Sequence, residues 1–432
     1  MKKKVSLFLC LVLSASLLAG CGSSSSSTSS TTGDATKTDK PVTLKLIHYL
    51  TEKPKIQALQ NEADNFTKKN PNIKIEIESM SLDQYANVLK MKLAAGDAPN
   101  IMFGSPKSYK DIVTSGNILD LTNQDFVKRI DPKFIANVTM DSKVYGIPMD
   151  LMPSGVFYNK DIFKSAGVAI PTTWAEFVKV CETLKGKGIT PIAAGYKDLA
   201  SIGGGCYTEI YGNPLAKMPD FRQEVMDGKT KLADLPEFKS FLQRFQTRNK
   251  YVNSDALQVG VDRAEQMFAT GKTAMIVLGS WGIGAIRADN PTGNFGVFMF
   301  PSADKAEDNA MSTGTDDTFM LSAHADNQAA SLKFFDYMTS TEGASQWAQD
   351  VQVLSAITGA KATKLDPMAQ DLSDIYSTGK VVNWLSAQDF YGQYNDIWMK
   401  KLQEFAFSPA NTNIDKFIKG WDSEFDKIRT VK

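Results

Sequence analysis

Aromatic rings and carboxylates recur in this chain where strand-like runs end. Tyr49 and Glu52 follow an extended run that begins at Val42, and Ser105 follows Ile101-Met102-Phe103 and a glycine. Trp281 comes after the apolar run Ala274–Leu278 and the pair Gly279-Ser280, while Asp317 ends a polar stretch just before Thr318–Leu321. Asp150 lies at the end of Pro148-Met149-Asp150. Flat rings cover apolar C–H faces, and carboxylate oxygens accept hydrogen bonds from hydroxyls. This set suits capture of a small molecule with both kinds of surface. Lys197, Asp198, Tyr207, Trp384 and Tyr391 are further candidates, since lysine and tyrosine complete such networks. For Trp281 the alternative is packing at a hinge, and for Asp150 it is capping one.

Other chemistries find less support. Only His48 and His324 are histidines and there is no CxxC, so no metal site is expected. A Ser-His-Asp triad is disfavoured, because His48 follows a β-run and His324 falls in a turn-like segment. Gly203-Gly204-Gly205 lacks the lysine and following helix of a phosphate-binding loop and reads as a flexible loop. No cofactor is expected. Hydrolysis of a glycosidic bond needs two carboxylates about 5–9.5 Å apart. A sequence does not measure that separation, so a secreted glycoside hydrolase stays an alternative.

The chain has 432 residues, long enough for two cores, with 43% hydrophobic and 22% charged residues. Lysine plus arginine equals aspartate plus glutamate at 48 each, which gives no reason to expect a nucleic-acid partner. Val42, Leu44 and Leu46 alternate with polar residues, as do Ile73, Ile75 and Ile77. Between these runs, Ile56, Leu59, Ala63 and Phe66 recur at helical spacing. Leu82 to Ala95 reads as helix and Ile101–Phe103 as a buried strand. This β-α-β-α-β order predicts a mostly parallel sheet, with ligands held beyond the carboxyl ends of its strands. Further on, Thr173 and Glu176 form a capping box before a helix. The last third is helical, and the stripe Ile414, Phe417, Ile418, Trp421, Phe425, Ile428 predicts core.

The N-terminus carries Lys2 to Lys4 and then the apolar run Val5–Leu18, too short to span a bilayer and typical of a secretory leader. Leu18-Ala19-Gly20-Cys21 resembles the bacterial lipobox, which implies a leader over 1–20 and a lipid on Cys21. Residues 21–40 then form a Ser/Thr-rich tether unable to bury apolar area, spanning roughly 24 Å on average. Cys181 and Cys206 remain, and their pairing stays open.

Pro148-Met149-Asp150, with Gly155-Val156-Phe157-Tyr158-Asn159-Lys160-Asp161-Ile162-Phe163 after four more residues, resembles the signature of family 1 extracellular solute-binding proteins of bacterial ABC importers. The fit departs at Ser165, where the family usually has a polar or charged residue. Pro171-Thr172-Thr173-Trp174 and Gly271-Lys272-Thr273-Ala274-Met275 with Gly279-Ser280-Trp281 resemble further landmarks, so the likeness covers nearly all of residues 41–432. It implies an α/β, two-lobed periplasmic-binding-protein-like fold with a ligand cleft between lobes and multiple hinge crossovers. Lobe one would comprise 41–149 plus 302–343, and lobe two 150–301 plus 344–432. It places cleft residues at Tyr49 and Glu52, at Trp281, and in the Gly-rich segment Thr313–Asp317.

The function implied is capture of a sugar, in particular an oligosaccharide, by a monomeric receptor that is not an enzyme. Delivery would be to permease subunits, from a lipid anchor on the outer face of the cell membrane or in a periplasm. Other solutes stay open. A polyamine would use Asp316, Asp317 and Glu52, whereas a phosphate ligand is disfavoured by the scarcity of arginine near these loops.

Overall fold

Alternation of apolar and polar residues makes Val42–His48 and Ile73–Ser79 strands with one face buried. They pair in parallel, with Leu44 opposite Ile75 and Leu46 opposite Ile77. Ile101–Phe103, buried throughout, pairs in parallel on the other side of Val42–His48. Thr318–Leu321 runs antiparallel to it, and Ile147–Pro148 completes a five-stranded sheet. The computed structural model describes residues 41–50, 52–197, 199–212, 215, 218, 220–383, 390 and 393–429.

A second, four-stranded sheet has the order Phe295–Phe298, Ser154–Asn159, Thr273–Gly279, Thr190–Ala193. All seven residues of Thr273–Gly279 are buried, as a central strand covered on both faces requires. It runs parallel to Thr190–Ala193, so Gly279 and Ala193 end at the same edge.

Each sheet has its own core. Leu46, Phe66, Phe103, Phe319 and Trp347 pack with the first, and Phe157, Phe268, Ile276 and Phe295 with the second. A third core joins Phe238, Phe241 and Phe245 of helix Pro236–Arg248 to Trp398, Trp421 and Phe425 of the C-terminal helices. The indoles of Trp398 and Trp421 lie 4.8 Å apart, centre to centre. Trp421 and its helical stripe are thus core, as their spacing predicts.

The chain leaves the five-stranded sheet for the four-stranded one through 149–153 and re-enters it through 314–317, after the short strand Met311–Thr313. Within the first passage, Asp150–Leu151 pairs with Leu354–Ser355. Within the second, Thr315 bridges Leu151, and the Met152 amide donates to the Gly314 carbonyl at 2.9 Å.

Three expectations differ from the structure. Gly203-Gly204-Gly205 is not a loop but the middle of helix Leu199–Gly212. Glycine costs about 1 kcal/mol per helical position, and burial of Ile202, Thr208 and Ile210 on the same helix outweighs it. Ile56 is exposed, because the buried face of helix Lys53–Lys69 is offset by one residue and takes in Lys55 and Glu62. Ala344, Trp347, Val353 and Ile357 join the first core although the expected boundary ended at 343, since helix Thr341–Val351 packs on helix Lys53–Lys69. Cys181 is a free, buried thiol. Among the described residues no helix is long and apolar enough to cross a membrane.

Candidate functional site

The candidate residues fall into three places: the carboxyl edge of each sheet, and the crossovers between them. At the edge of the five-stranded sheet, Tyr49 is half-buried and meets Tyr85 and Phe103 edge-on, each with ring centres 4.8 Å away. Its hydroxyl lies near that of Tyr109, whose ring lies where a side chain on Gly104 would be. Gly104 has φ +133°, so glycine serves both the turn and the close approach. The Ser105 Oγ accepts from the Lys107 amide at 3.3 Å, and its carbonyl accepts from the Tyr109 amide. Tyr49 and Ser105 therefore share one aromatic corner through Tyr109. Burial, and the Arg222 guanidinium facing it, hold the half-buried Lys107 ammonium below its usual range. Glu52 is exposed and its carbonyl accepts from the Ile56 amide at the start of the helix.

Asp150 and Asp317 meet at the crossovers, and neither faces solvent. Asp150 is 0% exposed. One of its oxygens accepts from the Asp317 amide at 2.9 Å and the other from the Trp347 indole at 3.0 Å. The Lys55 ammonium lies 2.6 Å from Asp316 and 3.0 Å from Asp317. The carboxylate oxygens of Asp150, Asp316 and Asp317 lie within 4.8 Å of one another, a grouping that suits a cation. Here Lys55 supplies it. Burial pushes the Asp150 and Asp317 carboxyls up, with Asp316 adding to both. Burial works against the Lys55 ammonium, yet Asp317, Asp316 and Asp150 outweigh it and hold its pKa above the lysine range. Asp150 thus ties the segment 149–153 to the segment 314–317. Lys55 was absent from the sequence-based set. Its signal was its place at helical spacing with Ala58, Leu59 and Glu62, on a face that turns inward.

Trp281 stands at the edge of the four-stranded sheet. Gly279 ends the buried strand, and a Cβ there would lie 1.9 Å from the indole, so the ring lies flat on the glycine backbone. The Ser280 amide donates to the Pro153 carbonyl at 2.9 Å, which fastens the turn to the first crossover. Trp281 is 37% exposed. Behind it lies a cavity of about 50 Å³ whose walls include Ala194, Tyr196, Gly205, Arg248 and Leu278. Arg248 pairs with Glu209 at 3.4 Å, and both are buried. Burial pushes Glu209 up to about 7 against the pull of Arg248 and Arg244. Lys197 is exposed on the adjoining loop, its amide donating to the Val259 carbonyl. Asp198, Trp384 and Tyr391 lie outside the described residues, as do Cys21 and the side chain of Tyr207.

Comparison with known proteins gives this arrangement a family. The multiple sugar-binding protein of Streptococcus mutans is 27% identical over 96% of this chain and 99% of its own length. The melibiose/raffinose/stachyose-binding protein MelE of Bacillus subtilis is 24% identical, over 84% of this chain and 83% of its own. The apo-form structure of RafE from Streptococcus pneumoniae superposes with a TM-score of 0.75 at 20% identity, covering 91% of this chain and all of that one. The mixed α/β fold is thus that of solved solute-binding proteins. The model of bacterial extracellular solute-binding proteins matches residues 49–345, well over half of the sequence, and the chain belongs to that family.

Proposed function

We propose that this protein captures a sugar, in particular an oligosaccharide, between two lobes built on its two sheets, and delivers it to the permease of an ABC importer. The observation that carries the reading is Trp281: a half-open indole, held flat by Gly279, at the carboxyl edge where α/β sheets bind ligands. A sugar ring presents C–H faces to such a surface and hydroxyls to the groups around it. The sugars in the relatives' names support the same reading. Tyr49, Ser105, Glu52 and Lys197 supply hydroxyl partners from the two edges. Asp150 and Asp317 hold the crossovers about which the lobes close.

Two other readings lose ground on the same geometry. A polyamine would need the acidic cluster, but the Lys55 ammonium already occupies it, 2.6 Å from Asp316 and 3.0 Å from Asp317. A hydrolase would need two carboxylates within reach of a substrate, and Asp150 and Asp317 are buried. A thermal-shift screen decides among solutes. A sugar at 100 times its Kd should add about 2.7 kcal/mol of stability. A response confined to polyamines or glycerophosphodiesters would overturn the proposal.

The protein is a monomer held at the membrane by a lipid on Cys21, with residues 22–40 as tether. This rests on the lipobox-like Leu18-Ala19-Gly20-Cys21 and on the composition that follows it. Two acyl chains hold a protein durably where one does not. Cys21→Ala should therefore release the protein to the medium and leave its ligand affinity unchanged. Retention of that variant in the membrane fraction at the wild-type level would contradict the anchor.

A further inference from the structure

Gly282, the residue after Trp281, is buried and has φ −81°, a value any residue adopts. Conformation therefore gives no reason for glycine there, but space does. A Cβ at 282 would run into the side chain of Leu278 and lie 2.9 Å from a carboxyl oxygen of Glu265. Leu278 also lines the cavity behind Trp281, as do Val261 and Ala264 of the helix that carries Glu265. The short helical turn Ser280–Gly282 thus rests on two supports, Leu278 and Glu265.

Of the two, Glu265 is the one that titrates. It is 6% exposed, on the buried face of helix Val261–Ala269 with Ala264 and Phe268. Burial pushes its carboxyl up to about 8, and Asp262 and Asp289 add to that. Among the described residues no hydrogen bond or cation offsets them. Strands Thr190–Ala193 and Thr273–Gly279, which pack on this helix, carry no charged residue. Helix Ile283–Asp289 brings Asp289 and Arg287, and the Arg287 guanidinium is paired with Asp366. On its own helix Asp262 adds negative charge, and Arg263 donates to Gln266. A neutral carboxyl suits this place and a charged one does not.

We infer that Glu265 is a positioning residue for Trp281: its protonated carboxyl supports the turn at Gly282 and so seats the indole, and loss of the proton lets the turn lift. A lifted turn admits water to the carboxyl, whose pKa then returns to the ordinary glutamate range, about 4.3. Between that range and about 8 the lifted form binds fewer protons than the seated one. Rising pH therefore favours lifting across this window, by up to about tenfold per pH unit, and adds nothing above it. The seating of the indole does not depend on what the protein binds. Its bearing on capture rests on the sugar-binding reading, and affinity should then fall over the same window.

Acrylamide quenching of tryptophan fluorescence in the ligand-free protein tests the assignment, with Trp281→Phe versions of each protein as the background that isolates Trp281. In the wild type the Trp281 emission should be quenched more strongly at pH 8 than at pH 5. In Glu265→Gln, which keeps the shape without the charge, quenching at both values should match the wild type at pH 5. Glu265→Met, neutral and of similar length, should behave as Glu265→Gln does. Both variants retain Glu209, the other buried carboxyl near this cavity whose pKa is raised, to about 7. A pH response that persists in them would therefore belong to Glu209 and overturn the inference. A wild-type emission that does not change with pH would overturn it as well. No sugar enters the measurement, so failure of the sugar reading, seen by titration, is a separate result.

Discussion

Trp281→Ala should weaken sugar binding by about 30- to 1,000-fold, equivalent to roughly 2–4 kcal/mol for an aromatic anchor. The indole sits at the end of a fully buried strand and lies on the one residue, Gly279, that has no Cβ to push it away. Its removal takes the apolar face from the ligand and leaves the surrounding hydroxyl partners without a surface that fixes the ring. Trp281→Phe keeps a smaller π-face and should lose less. Packing at the hinge would give another pattern, because Ser280 is tied to Pro153. In that case Trp281→Ala lowers the melting temperature of the ligand-free protein while the folded fraction binds normally. Titration and ligand-free melting curves of both variants separate the two, and wild-type affinity in a destabilised Trp281→Ala would end the stacking role.

Lys55→Met should destabilise the protein by about 3–5 kcal/mol at neutral pH, the usual cost of removing one partner from a buried ion pair. The methionine fills the space of the lysine stem but leaves Asp317 and Asp150 facing each other without a cation. The loss should depend on pH in a fixed direction. Burial already raises both carboxyls, and deleting the ammonium raises them further. A carboxyl raised in the folded state keeps a proton that the unfolded chain has released, so stability falls as pH climbs above the ordinary aspartate range. Lys55 itself has a raised pKa, so the stability it contributes in the wild type is fully present below the ordinary lysine range and is lost only above it. The deficit of Lys55→Met should therefore be larger at pH 8 than at pH 5 in denaturant titrations. An equal deficit at both values would remove the carboxylates from the explanation.

Local pattern made much of this fold legible. Alternation in Val42–His48 and Ile73–Ser79, the capping box at Thr173 and Glu176, and the stripe around Trp421 each encode their element within a few residues. Trp281 was legible for the same reason, since a strand, two small residues and an indole suffice to aim it. Lys55 was not. Its burial depends on Asp316 and Asp317, more than 260 residues away, and a lysine on a helix face reads as solvated until that partner is known. Gly205 failed in the opposite sense. Local propensity argues against helix at three glycines, and only the packing of Ile202 and Ile210 overrules it.

Sugar capture without turnover is tested most directly by isothermal titration of the purified protein with a panel of oligosaccharides, followed by chromatography of the recovered ligand. One or more oligosaccharides should bind with a stoichiometry of one and come back intact. No heat from any sugar, or binding accompanied by shortened products, would contradict the account.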